Sequence, residues 1–349
     1  MFPIPLSLEQ ALQQRDQGAL FVDVRTPAEF EEATIPGAVN IPLFSNEERA
    51  RIGTVYKKSG AIPARVLGME IVSPKIPDMV HQAISLPRNE KLPIIVFCWR
   101  GGMRSEAVAA FFNLAGLPAR QLVGGHKGFR SHVVDFFSSG EWGRLFVLRG
   151  FTGVGKTRLL RHLAGEGYPI IDIEDLAGHR GSAFGALGKG SQPSQKAFEA
   201  SLWNCLKKIP PGAWGLTEGE SKNIGRLSLP ERFFASLQNG PSLWLNASLD
   251  YRVKTILEEY PALGNMKASF VAPIQALKRR LGQKVVDNLL DLLEGEEWER
   301  LARELMVGYY DPLYSHTRPA DGIEIGIEPE AEGLKRLKAV VAGLVADKS

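Results

Sequence analysis

A chain of 349 residues with 44% hydrophobic and 23% charged content has the composition of a globular protein long enough for two cored domains. A net charge of +3 permits a nucleic-acid or phosphate partner without demanding one. Two cysteines far apart, Cys98 and Cys205, exclude a disulfide framework and a cysteine zinc site, and they fit a reducing cytoplasm. The first residues lack the basic and apolar segments of a signal peptide, and no apolar run approaches the ~20 residues of a membrane span.

In chain order, Ser7 and Gln10 form a capping-box pattern that opens a short helix, and Gly18 stops it. Leu20-Phe-Val-Asp-Val-Arg25 reads as a strand with an acid and a base at its end. Thr26 then caps a helix with Pro27 at its first position, and Ile35 to Leu43 turns into another short strand. This alternation predicts a mainly parallel sheet. Residues from about 46 to 90 break the alternation. Charges at helical period (Glu47 to Gly60) and a run from Met79 to Leu86 predict a helical insertion there.

Leu92 to Phe97 is an apolar, β-rich run that ends on Cys98. Trp-Arg100-Gly-Gly-Met-Arg104 follows, and a helical segment begins at Ser105. A strand, a tight loop and a helix N-terminus together aim backbone N–H groups and positive potential at one point. With Arg100 and Arg104 adding full charges, the Cys98 thiol is expected to ionise below its free value and act as a nucleophile, beside a cradle for phosphate, thiosulfate or selenophosphate. Ala119 to Leu122 gives a further strand, followed by a glycine turn.

Asp23-Val-Arg25, Glu29-Phe30, Ile35 to Pro42, the Cys98 loop and Leu122-Val-Gly-Gly125 occur in order, and together they resemble a rhodanese domain over residues 1–138. In that family the loop cysteine carries a persulfide or, in some members, serves as a phosphatase nucleophile. The polar joint after Ser138 marks a boundary, and a second domain is expected over 144–349.

Arg144 to Arg149 is the next strand. It leads into Gly150-Phe-Thr-Gly153-Val-Gly155-Lys156-Thr157 and a helix from Arg158, a complete G-x-x-x-x-G-K-[ST] motif in its strand–loop–helix setting. Its N–H groups would wrap a diphosphate, Lys156 and Arg158 would neutralise charge, and Thr157 could hold Mg²⁺. Tyr168 to Asp175 is a strand with acids at its exit, and His179-Arg180 follow in a glycine-rich loop. Gln195 to Lys207 reads as a helix, with Cys205 as packing. Gly215 to Ser221 approaches two acids; Asp172, Glu218 and Glu220 are the candidates for metal contact or site ordering. Ser242 to Ala247 is a strand, and helices are expected over 251–259, 274–281, 284–294, 297–307 and 328–346. Tyr309 to Tyr314 reads as an aromatic turn. The Lys278-Arg279-Arg280 cluster, with His179, Arg180 and Ser221, is a candidate RNA or substrate contact.

The fold class is therefore α/β: a rhodanese-like domain, then a P-loop NTPase-like parallel-sheet domain with added helices. Across both domains the chain resembles the tRNA 2-selenouridine synthase family. The supporting stretches are Cys98 to Ser105, Arg51 to Lys57, Gly150 to Thr157, Asp172 to Gly185 and Glu218 to Gly225. The resemblance implies action on 2-thiouridine at the wobble position (U34) of tRNAs for Lys, Glu and Gln. It implies geranylation of the sulfur by geranyl diphosphate, then exchange for selenium from selenophosphate through Cys98. No tightly bound cofactor is expected. The competing readings are a rhodanese-type sulfurtransferase with a nucleotide-binding domain, a phosphatase using the Cys98-x₅-Arg104 spacing, and a non-enzymatic RNA-binding protein.

Overall fold

The computed structural model describes residues 4–259, 263–315 and 318–347. The chain forms two compact units: residues 1–138 with 199–201, and 139–198 with 202–349.

The first unit is built on four parallel strands, β1 (Phe21–Asp23), β2 (Val39–Asn40), β3 (Ile94–Phe97) and β4 (Ala119–Gln121), in the order β2-β1-β3-β4. All four residues of β3 are buried, which is why its sequence is an unbroken apolar run and not an alternation. The capping box expected at Ser7 with Gln10 is present, and the Thr26 cap is a capping box too, with Glu29; Ser45 with Glu48 adds a third. The helix Met103–Leu114 lays Val108 and Phe112 onto Val22, Val24 and Val96 of the sheet. The insertion forms the helices Asn46–Ser59, Ala61–Val72 and Ile76–Ser85.

Asp23 ends β1 with no exposed surface, and Arg25 is nearly as buried. The guanidinium grips the carboxylate through Nε (3.0 and 3.1 Å) and Nη2 (2.6 Å), and it also donates to the Ala33 carbonyl. The Thr34 hydroxyl adds a bond of 2.9 Å to the same carboxylate. The Asn40 amide donates to the carbonyls of both Asp23 and Arg25. One buried pair thus ties together the C-terminal ends of β1 and β2 and the turn between them.

The second unit carries β5 (Arg144–Gly150), β6 (Ile170–Ile171), β7 (Trp214–Glu218), β8 (Asn223–Ile224), β9 (Leu227–Ser228), β10 (Ser242–Asn246) and β11 (Ile323–Gly326). Five of them make one parallel sheet, β11-β10-β5-β7-β6, while β8 and β9 pair as a small antiparallel ribbon. The loop after β5 therefore leaves the middle of the sheet, the crevice position where open α/β sheets bind ligands. One core lies on this sheet around Phe146, Leu148, Leu160 and Leu243; another is mostly helical, around Phe270, Ile274, Leu289 and Leu292.

Three expectations differ from what is found, and the strand β11 is not among those expected. The strand read over Tyr168 to Asp175 is only Ile170–Ile171, and the helix Ile173–Ala177 follows it. The helix expected over 274–281 is two elements, Leu263–Ala276 and Lys278–Leu281. Pro273 lies inside the first, and buried Phe270 and Ile274 on either side carry the helix through it. The aromatic turn at 309–314 is helical, a π turn Met306–Tyr310 followed by Asp311–Ser315. The edge strand β11 had no sequence signal because only Ile325 of its four residues is buried.

Replacing Arg25 with Met should destabilise the first unit by about 3–5 kcal/mol, because it strands a buried carboxylate. Urea denaturation followed by hydrogen exchange of the β1 and β3 amides measures this; unchanged protection would mean that the pair is dispensable.

Candidate active sites

In the first unit, Cys98 follows β3 directly and only 3% of its surface is exposed. Its Sγ accepts from the Gly102 N–H and from the Ser105 hydroxyl, both at 3.3 Å. Gln121, at the end of β4, donates to the Ser105 Oγ (2.9 Å) and to the Gly102 carbonyl (3.0 Å), so the next strand's end fixes the hydroxyl that faces the sulfur. Burial raises the thiol pKa, but the Ser105 hydroxyl, the Gly102 and Ser105 backbone and the charge on Arg104 outweigh it and hold the group below its ordinary value. Cys205 goes the other way: burial pushes its thiol up.

The glycines of the loop are dictated by backbone approach. Gly101 has φ 65°, and a Cβ there would lie 2.6 Å from the Leu122 carbonyl. Gly125 has φ 54°, and its Cβ would collide with the Cys98 carbonyl and crowd the Gly101 nitrogen to 2.5 Å. The Leu122-Val-Gly-Gly125 stretch is thus the surface against which the cysteine loop is moulded; His126 N–H donates to the Cys98 carbonyl at 2.9 Å.

The two arginines differ. Arg104 forms an ion pair of 2.9 Å with Glu29, whose other role is to complete the Thr26 capping box. Burial raises the Glu29 pKa, but the contact with Arg104, the Thr26 backbone and the charge on Arg25 together hold it below its ordinary value. Arg100 is exposed at the lip of the loop, with no hydrogen bond or ion pair among the described residues.

In the second unit, β5 ends at Gly150 and the loop closes onto the helix Lys156–Gly165. Gly150, Gly153 and Gly155 have φ of 146°, 79° and 84°. A Cβ on Gly150 or Gly153 would stand 2.5 Å from the carbonyl of Leu245 or Arg252, so only glycine fits at either position. Arg252 holds the loop from outside: it binds Asp311 through two bonds of 2.8 Å and donates to the Thr152 carbonyl at 3.3 Å. Lys156 Nζ donates to the Gly150 carbonyl at 3.1 Å and lies 5.7 Å from the centre of the Tyr314 ring.

Behind the loop is a carboxylate cluster. Thr157 Oγ1 donates to Glu174 at 3.1 Å. Glu218, at the end of β7, is fully buried; its Oε1 accepts from the Glu174 N–H at 2.8 Å, and its Oε2 has no partner. Glu174 also shares a hydrogen bond with Glu220. Burial raises the pKa of all three. It pushes Glu220 up to about 8, with Glu174 adding to the rise and Lys156 opposing it. Among the described residues no three acids or histidines form a ready metal cage. A Mg²⁺ held here would instead take one or two carboxylates, Thr157 and phosphate oxygens, the usual pattern for that ion.

Glu174 is the residue missed from sequence, two residues beyond the Asp172 chosen there. Asp172 is a helix N-cap, accepting from the Asp175 N–H at 2.8 Å and paired with Arg161. Arg158 is paired with Glu258 at 3.0 Å and with Glu330, and lies beside the Tyr251 ring. His179 and Arg180 brace their own loop, through the Gly181 N–H and the Leu187 carbonyl. Ser221 is exposed and bonds the Asn223 carbonyl. Lys278, Arg279 and Arg280 are exposed on a short helix, with Arg280 over Tyr309.

A parallel-sheet unit with a cysteine loop at its strand ends, together with a unit bearing a P-loop, defines an α/β protein of rhodanese and P-loop class. Residues 7–132 match the rhodanese-like domain, and residues 143–335 match the tRNA 2-selenouridine synthase AAA domain. A tRNA 2-selenouridine synthase of Bdellovibrio bacteriovorus is 33% identical over 340 residues, covering 85% of this chain and 88% of the relative. One from Pseudomonas fluorescens is 34% identical over 339 residues, covering 88% and 91%. One from Nitrosomonas europaea is 39% identical over 253 residues, a match that spans 68% of this chain and 63% of that relative. The chain belongs to the tRNA 2-selenouridine synthase family, and making 2-selenouridine in tRNA is accordingly its activity. Among the described residues no helix is long and apolar enough to cross a membrane.

In a Cys205→Ser background, alkylation of Cys98 by iodoacetamide should titrate with a midpoint below the ~8.5 of a free thiol. Its rate should fall only as pH drops through that midpoint and the thiolate gains its proton. Ser105→Ala should move the midpoint upward. A midpoint at or above the free value in the parent would contradict the cradle.

Proposed function

We propose that the chain converts wobble-position 2-thiouridine of tRNA to 2-selenouridine in the cytoplasm by two chemical steps, one in each unit. The observation that carries the first step is the cavity beside the P-loop, of about 690 Å³, lined by Gly150 and by Phe234, Trp244, Tyr309 and Tyr314. A diphosphate cradle opening onto aromatic rings suits a donor that is a diphosphate at one end and a hydrocarbon at the other, such as geranyl diphosphate. The uridine sulfur attacks the first carbon of the geranyl group. The carbon–oxygen bond breaks, diphosphate leaves with the electron pair, and the uridine N3 proton is given up to water. Lys156 and the N–H groups of Gly153 to Thr157 receive the growing charge. Lys156 is the better candidate for this than Arg158, whose guanidinium is already matched by Glu258 and Glu330. Glu174 holds Thr157, and with Glu218 and Glu220 beside it is the group through which Mg²⁺ would be ordered.

Alkylation turns the sulfur into a leaving group. In the second step the Cys98 thiolate attacks the selenium of selenophosphate. The Se–P pair leaves on phosphorus as phosphite, and Cys98 becomes a perselenide. Arg100 is free to meet the selenophosphate oxygens, with Arg104 adding charge from its pair with Glu29. The terminal selenium adds to C2 of the alkylated uridine and expels geranylthiolate. A thiol then cuts the S–Se bond, leaving selenium on C2 and a disulfide on Cys98 that a second thiol reduces. The acceptors are the tRNAs for Lys, Glu and Gln, with His179, Arg180, Ser221 and the Lys278–Arg280 cluster as candidate RNA or substrate contacts.

Variants should separate the steps. Cys98→Ala should accumulate S-geranyl-2-thiouridine and make no 2-selenouridine. Lys156→Ala should slow geranylation by roughly 10²–10³-fold, the scale for losing one charge-stabilising donor, yet still selenate tRNA that was geranylated beforehand. Nucleoside mass spectrometry reads both. The reverse pattern for Lys156→Ala would overturn the assignment.

A further inference from the structure

Neither step uses the helical insertion of the first unit, although Arg51-Ile-Gly-Thr-Val-Tyr-Lys57 within it is one of the stretches that sets this sequence apart. That stretch lies on the helix Asn46–Ser59, which fully buries none of its 14 residues. Tyr56, Ile62 and Met69, on this helix and the next, are 60%, 74% and 71% exposed. So much bare apolar surface on adjacent turns marks a binding surface more often than a solvated face.

The surface is concave. Ile52 and Tyr56 of the first helix, Ala64 and Gly68 of the second, and Met103 and Phe111 of the helix after the cysteine loop line a groove of about 640 Å³, within the ~300–1,000 Å³ of small-molecule sites. Its floor is hydrocarbon: a Cβ added at Gly68 would touch the Phe44 ring at 3.5 Å. Its rim is cationic. Arg49 and Arg65 line it and have no ion pair among the described residues. Arg51, Lys57 and Lys58 are exposed on the same helix as Arg49. One end of the groove is Met103 and Arg104, which directly follow Gly102, the residue whose N–H donates to the Cys98 sulfur.

We infer that this groove holds the isoprenoid chain of the S-alkylated tRNA nucleotide while C2 of its base meets the selenium on Cys98, an inference that rests on the alkylated intermediate proposed above. The apolar floor takes the chain, and the rim arginines take the flanking phosphates. The location beside the thiolate favours a chain carried on RNA over a free prenyl diphosphate, whose diphosphate has its cradle in the P-loop. The groove would thus select alkylated tRNA for selenation over thiolated tRNA that has not passed the first step.

The test uses the full chain, selenophosphate, a thiol and tRNA carrying chemically prepared S-geranyl- or S-methyl-2-thiouridine. The parent protein should selenate the geranyl substrate with a KM at least tenfold lower than the methyl one. Met69→Asp, at an exposed position, and Gly68→Leu, which fills the floor, should each erase that preference while leaving the methyl substrate within twofold. Arg49→Glu with Arg65→Glu should raise KM for both substrates alike. A geranyl-to-methyl ratio unchanged by Met69→Asp and Gly68→Leu would overturn the groove assignment and leave the two-step reading standing. A parent protein that selenates neither alkylated tRNA would overturn that reading and the groove with it.

Discussion

The constraint on which both sites depend is the close approach of backbone to backbone at the C-terminal ends of two parallel sheets. In the first unit Gly101 and Gly125 are pressed against the carbonyls of Leu122 and Cys98. In the second, Gly150 and Gly153 are pressed against those of Leu245 and Arg252. Side chains cannot enter these contacts, so each loop turns tightly against its neighbour, and in the first unit the Gly102 N–H reaches the Cys98 sulfur. A parallel sheet places every such loop on one edge, and the helix that follows adds its N-terminal potential. The same device builds the cysteine loop in one unit and the P-loop in the other.

The two cradles differ in what stands behind them. The cysteine loop is backed by the Ser105 hydroxyl, the Gly102 and Ser105 backbone and a paired arginine, and together these outweigh burial to hold the thiol pKa below its ordinary value. The P-loop is backed by Glu174, Glu218 and Glu220, which burial pushes toward their neutral forms. Carboxyls that hold protons do not repel an incoming diphosphate, and they can release those protons when a cation arrives with it. A thiol held below its ordinary pKa in one unit and an acid cluster raised by burial in the other suit the division into selenium transfer and prenyl transfer proposed above.

Much of this was legible in the residues. Distant backbone shapes the glycine loops, but their signatures are local: with the strands before them, Cys98 to Ser105 and Gly150 to Thr157 state the strand end, the turn and the helix start in one stretch. The capping boxes at Ser7 and Thr26 are equally local. What sequence hid are features made by distant packing. Glu174 faces Thr157 only because a helix begins at Ile173 and turns it inward, whereas Asp172, the more obvious acid, is spent on the cap. Arg158 looks like a phosphate ligand beside Lys156, yet Glu330, from the far end of the chain, reaches it. The helix through Pro273 and the edge strand β11 are held by tertiary contacts that no window of sequence contains.

The central claim, that one chain alkylates the sulfur and then replaces it with selenium, is tested most directly by supplying the donors separately. 2-Thiouridine tRNA is incubated with the protein and a thiol, with geranyl diphosphate, with selenophosphate, or with both, and its nucleosides are analysed by mass spectrometry. The account predicts S-geranyl-2-thiouridine with the first donor alone, no change with the second alone, and 2-selenouridine with both. Formation of 2-selenouridine from selenophosphate alone would contradict it, because the sulfur would then leave without being alkylated.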